Sequence, residues 1–375
     1  MKVLVGMPQP GSWGGPVGCE PPFVWGLRQI GVEVDEEVYV YGDQLKETVL
    51  WHRVERVVRT ALRLRRRIKA VRYDLIHLNT AFDTKAVLRD TVTLFLLPVS
   101  GKRIFLKMHG SDQALLGTNN RVLRFLSHRL VRKTAGIGAL SSEERQNFVR
   151  SGFNAEQVFV VKNVVDKHCF QTDADFAAHH GLAANTAALL FISRFITAKG
   201  LLDVIRACAR VRDRGRTSFV LFCVGDGPAR AEAEAEVAKL HLGDHVRFFG
   251  YLPEVEALGF YTISTMLVFP TYHEEGLPLV VLYSLAAGLP IITTRIRGAA
   301  DYLREDDNCL WVAPRAPEDL ADKIIHLLDD PHLRDRMKIN NQQLARQFAP
   351  EHVAAEYLEI YKKVLSSSSS SSNEN

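Results

Sequence analysis

Arg194 and Lys199 stand five residues apart in FISRFITAKGLLDVI, directly after a buried apolar run and at the opening of a helical pattern. Two cations beside the free N–H groups of a helix start make a site for a diphosphate, whose charge is met by side chains and helix dipole together. For the pair alone, a solvated turn with two chance cations is the bland alternative. A second cluster lies in FPTYHEEGLPLVVLYSLAAGLPIITT, where a loop bearing His273, Glu274, Glu275 and Gly276 joins a strand to an apolar helix. A carboxylate there can be a mere helix cap worth about 0.3–1 kcal/mol. Gly276, however, lets the backbone approach a ligand closely, and Glu275 faces the ligand at the strand's carboxyl end.

These residues need a frame to hold them. Short β-rich runs at Val3–Met7, Val34–Tyr41, Leu75–Leu78, Arg103–Met108 and Gly136–Leu140 alternate with helical or loop segments, the beat of a parallel α/β sheet. The beat resumes at Ala188–Ser193, Phe219–Val224, Val246–Phe249, Met266–Phe269 and Pro290–Thr294, with helical patterns at Leu201–Arg212, Arg230–Leu240 and Leu279–Ala287. Two doubly wound domains are expected, divided near Asn163–Phe170, with ligands at the carboxyl ends of the strands and the cleft between domains as the default site. The last helical pattern carries Val353, Tyr357, Ile360, Tyr361 and Val364 on one stripe that must dock on something, and the Ser-rich end after it has nothing to bury.

A length of 375 residues suits two domains, and 47% hydrophobic with 24% charged residues is the make-up of an ordinary globular protein. The longest apolar run, Val92–Val99, is broken by Pro98 and falls short of the ~20 residues of a spanning helix, so no segment is expected to cross a bilayer. The start lacks a secretory core. Cys19, Cys169, Cys208, Cys223 and Cys309 are scattered with no C-x2-C pair, which points to reduced thiols in a cytosol and no structural zinc. The net charge of +4 hides an asymmetry. Residues 1–165 hold 25 basic and 15 acidic side chains, a net of +10, and the remainder 22 and 28, a net of −6.

The motifs, taken in order, resemble the retaining glycosyltransferases of GT-B fold called family 4. They are Gly14-Gly15, DLIHLN at Asp74–Asn79, HGSD at His109–Asp112, SSEE at Ser141–Glu144, VVKNVVD at Val160–Asp166, SRFITAKG at Ser193–Gly200, VGDGP at Val224–Pro228, VRFFGYL at Val246–Leu252 and EEGLPLVVLYSLAAGLPII at Glu274–Ile292. The resemblance implies two Rossmann-like domains facing across a cleft. Residues 1–166 would bind acceptor, joined by the C-terminal helix 350–365; residues 167–349 would bind the donor; and 366–375 would be a disordered tail. It implies that Arg194 and Lys199 stabilise the charge developing on a departing nucleotide diphosphate without a metal, that His109 orients the reacting sugar, and that Glu275 lies close to it. Gly14, Gly15, Asn163, Gly225, Tyr251, Leu252, Gly276, Leu277 and Tyr283 complete the expected donor contacts, with a UDP- or GDP-type sugar as co-substrate and no other cofactor.

One position departs from the family pattern. The second Glu of its Glu-x7-Glu motif, which partners the ribose hydroxyls, falls at Tyr283, and counting from Glu274 gives Leu282. A carboxylate accepts two strong hydrogen bonds from a diol, a phenol only one weaker one. The expected activity is transfer of a hexose-type sugar to an acceptor hydroxyl on a lipid-linked or cell-surface glycan precursor, in polysaccharide biosynthesis. The alternatives are an epimerase or hydrolase of the same fold, and a non-catalytic scaffold that has lost donor binding.

Residues 53–72 carry nine basic side chains and one acid. At 100° per residue Val54, Val57, Val58, Ala61, Leu62 and Ile68 share one face, with Arg56, Arg59, Arg63, Arg66 and Arg67 on the other. Arg121, Arg124, Arg129, Arg132 and Lys133 add a second basic cluster. The expectation is a cytoplasmic protein, peripheral on the anionic inner face of the plasma membrane through those five arginines. Nucleic acid is not expected as a partner, since no aromatic-interleaved basic patch accompanies the stripe.

Overall fold

The computed structural model describes residues 1–10, 12, 14–39, 50–98, 103–166, 170, 176–183 and 185–370. It divides into two compact units. One is Met1–Val164 with Glu274–Leu277 and the chain from Pro350; the other is Val165–His273 with Pro278–Ala349.

The first unit runs β1 (Lys2–Met7), α1 (Gly15–Gln29), β2 (Glu33–Val38), α2 (Leu50–Ala70), β3 (Leu75–Phe82), α3 (Thr84–Leu96), β4 (Ile104–Ser111), α4 (Gln113–Leu116), α5 (Arg121–Arg132), β5 (Gly136–Ala139), α6 (Ser142–Arg150) and β6 (Val158–Val160). Six parallel strands lie in the order β2-β1-β3-β4-β5-β6. The inner strands are covered on both faces, so they read in sequence as nearly continuous apolar runs. Alternation sorts their side chains. Ile76, Leu78, Ile104, Leu106 and Met108 share one core with Leu64 and Ile68 of α2, Val87 of α3 and Leu130 and Val131 of α5. The intervening residues His77, Asn79, Lys107 and His109 look to the other face, where α1 packs against the C-terminal helix.

The second unit contains α7 (Phe176–His179), β7 (Ala187–Ile192), α8 (Leu201–Asp213), β8 (Phe219–Val224), α9 (Arg230–Lys239), β9 (Val246–Gly250), α10 (Glu254–Ile263), β10 (Met266–Phe269), α11 (Leu279–Ala287), β11 (Ile291–Thr293), α12 (Arg297–Tyr302), β12 (Cys309–Trp311), α13 (Pro317–Asp329) and α14 (Pro331–Ala345). Its strands are all parallel, in the order β12-β11-β10-β7-β8-β9. The chain then returns to the first unit as α15 (Pro350–Ser370). Gly26 of α1 admits it: a Cβ there would lie 2.4 Å from the Pro350 carbonyl oxygen, and Phe23 packs its ring 4.6 Å from that of Tyr357.

Three expectations change here. The edge strand β12 carries too short an apolar run to announce itself. α15 continues to Ser370, five residues into the stretch taken as a disordered tail, because each added residue of a formed helix gains a backbone hydrogen bond without a new nucleation cost; 371–375 lie outside the described residues. In α2 the inward stripe is Ala61, Leu64 and Ile68, while Val54 and Leu62 are exposed. Arg56 is half-buried. Two arginines of the basic face, both exposed, also pair with the acidic edge strand β2. Arg63 pairs with Glu37 at 2.6 Å and donates to the Val38 carbonyl, and Arg67 pairs with Asp35 at 3.3 Å and donates to the Tyr73 hydroxyl. Arg59 pairs with Glu55 one helical turn away.

Cys19, Cys208, Cys223 and Cys309 are buried free thiols, and Cys169, Val40 and Tyr41 lie outside the described residues. No described helix is long and apolar enough to cross a membrane.

Candidate functional site

In the first unit His109 sits at the carboxyl end of β4, two residues after Lys107 and on the same face of the strand. Register places Asn79 of β3 opposite Lys107. From α1, Glu20 reaches this pair. Its Oε1 receives Lys107 Nζ at 2.7 Å and lies 3.2 Å from His109 Nε2, and its Oε2 accepts from Asn79 Nδ2 at 2.9 Å. His109 Nε2 also lies 3.0 Å from Asn79 Oδ1. With two acceptors around it, Nε2 is assigned the proton, which leaves Nδ1 as the basic nitrogen.

The charges in this network are set by one another. Burial alone raises the Glu20 carboxyl, but Lys107 and the hydrogen bond from His109 outweigh it and hold the group well below the ordinary range. Burial lowers His109, so its imidazole is neutral at pH 7, and it lowers His77 to about 3. Cys19, Glu20 and His109 bring ligand atoms within 4.8 Å of one another, the one such group among the described residues. The Lys107 ammonium already fills the place of a cation there.

The same unit holds the start of the Glu274 segment. Asn163 Nδ2 donates to the Leu277 carbonyl at 3.0 Å, and Gly276 is wedged so tightly that a Cβ would lie 2.5 Å from that of Leu140. Glu275 is half-buried, and Gly276 and Leu277 are buried. Gly14 is the N-cap of α1 at φ 106°, and Gly15 is its first residue.

In the second unit Arg194 follows β7 and is exposed, whereas Lys199, at the end of the next turn, is only 7% exposed. Burial first, then the Arg194 guanidinium, lowers its ammonium to about 7. His273, beyond β10, is lowered to about 4 by burial and by the cations of Lys199, Arg194 and Arg297. A neutral imidazole among three cations marks a concentrated positive field. Gly225, at φ 132°, lets the loop after β8 lie on the loop after β7: a Cβ would fall 1.8 Å from the Ser193 carbonyl oxygen. Phe195 N–H donates to the Asp226 carbonyl at 2.8 Å across the same seam.

Tyr283 lies on α11, 7% exposed, and packs against the rings of Phe170 and Tyr261. Its hydroxyl donates in a short hydrogen bond to Glu254 Oε1, at the first residue of α10. Tyr251, three residues before that carboxylate, is raised by burial and by its charge; Leu252 is half-buried.

Two family profiles divide the chain. "Glycosyltransferase Family 4" is matched over residues 24–168 and "Glycosyl transferases group 1" over residues 173–344. The chain belongs to the family 4, group 1 glycosyltransferases. The sequence is 33% identical to a 2-deoxystreptamine glucosyltransferase of Streptomyces kanamyceticus, over 47% of this chain and 45% of that protein, so the match spans less than half of that relative. It is 26% identical to an N-acetyl-alpha-D-glucosaminyl L-malate synthase of Bacillus anthracis, over 79% of this chain and 74% of the other. The fold is shared with Anabaena HepE, solved with UDP and glucose, at TM-score 0.73 and 18% identity over 96% and 98% of the two chains. It is also shared with a sucrose-phosphate synthase from Thermosynechococcus elongatus, at TM-score 0.76 and 19% identity over 98% and 99%. The chain thus has the two parallel α/β sheets of the GT-B fold.

Sequence reasoning missed Glu20, Asn79, Lys107, Arg297 and Glu254 as site-linked groups. One signal was there to be read: Lys107 stands alone in the apolar run IFLKMHG, and a cation in a buried strand demands a counter-charge.

Proposed function

We propose that the protein is a retaining, metal-independent glycosyltransferase. It moves a hexose-type sugar from a UDP- or GDP-type donor to an acceptor hydroxyl on a lipid-linked or cell-surface glycan precursor, at the cytoplasmic face of the plasma membrane. The observation that carries this reading is the buried Lys199 with Arg194, Arg297 and the neutral His273, a field suited to a diphosphate leaving group. The UDP and glucose in the HepE structure support the donor class. A lipopolysaccharide core glycosyltransferase of Rhizobium meliloti, 30% identical over 48% of this chain and 50% of that protein, supports the acceptor class.

In this reading Arg194 and Lys199 bind the diphosphate and take up the charge as the glycosidic bond breaks. His109, held by Asn79 and Glu20, orients the sugar; Glu275 and the amides of Gly276 and Leu277 bound its pocket. The departing phosphate oxygen takes the proton of the attacking hydroxyl. Gly14, Gly15, Asn163, Gly225, Tyr251 and Leu252 are proposed as the further donor-binding residues. The carboxylate absent at Tyr283 is supplied by Glu254, which Tyr283 steadies for the ribose diol. This favours activity over the scaffold reading that Tyr283 raised.

A melting screen with UDP, GDP and ADP tests the proposal: one of the first two is expected to raise the midpoint of the wild type and to leave Arg194→Ala unmoved. No shift with any nucleotide would sink it. Glu254→Gln is expected to raise the donor KM by roughly tenfold with little change in kcat, the loss of a charge-assisted hydrogen bond of about 1.5 kcal/mol; an unchanged KM removes Glu254 from the site. Incubation with donor alone separates the epimerase or hydrolase alternative, which would release an isomerised or free sugar.

A further inference from the structure

We infer that the outer surface of α2, α3 and α5 docks on an anionic lipid bilayer by inserting apolar side chains of α3 and α5 between basic ones. This deepens the proposed action on a membrane-linked acceptor, and it moves the contact away from the arginine face of α2 that the sequence singles out.

The three helices form one layer. Each bridges strands that advance in the same direction along the sheet, which places right-handed crossovers on a single face, and their inner residues share one core. α2 packs on α3 and α3 on α5. What the layer turns outward is unusual for a soluble surface. Of the thirteen large hydrophobic residues exposed among those described, eight lie on these helices. Scattered single residues need no explanation, whereas such a concentration marks a contact surface. Leu88, Val92 and Phe95 recur along one stripe of α3, with Phe95 78% exposed. On the neighbouring α5, Val122 and Phe125 project beside exposed Arg121, Arg124 and Arg129, and on α2 Trp51 is 73% exposed.

Charge selects the partner. From Arg121 to Lys133 there are five cations and no acid, and the Arg129 guanidinium lies 5.9 Å from the Phe125 ring centroid. Two copies of such a face would set like charges against each other. Arginines interleaved with projecting Phe, Leu, Val and Trp fit a lipid surface, where acyl chains take the apolar groups and anionic headgroups take the guanidinium ions. Arg63 and Arg67, engaged by Glu37 and Asp35, are drawn toward β2.

The test is co-sedimentation of the full chain with phosphatidylcholine vesicles, with and without one part in four of phosphatidylglycerol. Wild type is expected to pellet with the phosphatidylglycerol vesicles. Phe95→Glu/Phe125→Glu is expected to bind at least about tenfold more weakly, and Phe95→Trp/Phe125→Trp to bind as wild type with its indole emission shifted to the blue. At ~1 M salt, where screening acts within about 3 Å, part of the wild type should stay bound and the double glutamate variant none. Ile339→Glu, at an exposed apolar residue of α14, is the surface control and is expected to bind as wild type. Equal binding by wild type and the double glutamate variant overturns the inference. So does a wild type that ignores vesicles and self-associates in a manner abolished by Phe95→Glu. The nucleotide melting shift, measured on each variant, tests the proposed catalysis separately: its absence would sink the transferase reading while vesicle binding still stood.

Discussion

Replacement of Glu20 by alanine is expected to destabilise the first unit by about 3–5 kcal/mol, because it strands the Lys107 ammonium in a fully buried site. The effect is larger than that of a surface ion pair, since neither partner of this one has solvent to fall back on. Glu20→Ala also removes the acceptor shared by Asn79 and His109, so whatever protein folds should lose turnover more than donor affinity. Replacing both partners, as Glu20→Leu/Lys107→Met, should recover much of the stability without the activity, because a well-packed apolar pair removes the desolvation cost together with the attraction. The pH dependence follows from the shifts. Glu20 is depressed, so its contribution is full above the ordinary carboxylate value near 4.5 and is lost as pH falls through the folded one. Lys107 is raised despite burial, so its contribution is full below its ordinary value of 10.5 and is lost as pH climbs past the folded one. The gap between wild type and Glu20→Ala in urea unfolding should therefore hold from about pH 5 to neutrality and narrow toward pH 10, where the stranded Lys107 of the variant sheds its proton while the paired one of the wild type keeps it. A gap below about 1 kcal/mol at pH 7 would remove the network from the account.

Lys199→Met is expected to act in the opposite sense on stability while lowering turnover steeply. The unfolded chain holds this proton up to the ordinary value of 10.5 and the native protein only up to about 7. Between those values the unfolded state binds more protons, so wild-type stability rises with pH by up to about 1.4 kcal/mol per unit. A methionine has no such cost. The variant should be more stable at pH 7 by roughly 3–5 kcal/mol in the second unit, and the two proteins should converge toward pH 10. The same cost is repaid when a diphosphate arrives. Donor binding requires the ammonium, so wild-type kcat/KM for the donor should fall as pH rises above about 7, and nucleotide binding there should take up a proton. Loss of a cation from the leaving group should lower kcat by roughly 10²–10³. A variant no more stable than wild type at pH 7 would show that the lysine is not strained by burial.

The two networks differ in how much of them could be read along the chain. Arg194 and Lys199 are near neighbours in sequence, joined by one strand-to-helix turn, so local spacing was enough to place them together. The strands around them were legible for a related reason: in a parallel sheet covered on both faces every residue of an inner strand is buried, which writes apolar runs such as FVLFCV directly into the sequence. Glu20 and Lys107 are 87 residues apart, and their meeting depends on which residues of β4 face α1, a matter of pleat and helix rotation.

The helix of residues 50–70 shows the same limit. Its periodicity determined that one side would be apolar and the other basic, but a helical wheel carries no information about the neighbouring strand. Only the packed sheet set the Glu37 and Asp35 carboxylates against Arg63 and Arg67 and turned Val54 and Leu62 outward. Likewise the sequence by itself determined that a carboxylate is missing at Tyr283, and only the tertiary structure brought Glu254, 29 residues earlier, against its hydroxyl. Local chemistry is a property of consecutive residues, which the sequence states outright. Charge compensation is a property of residues brought together in space, and the fold alone decides which those are.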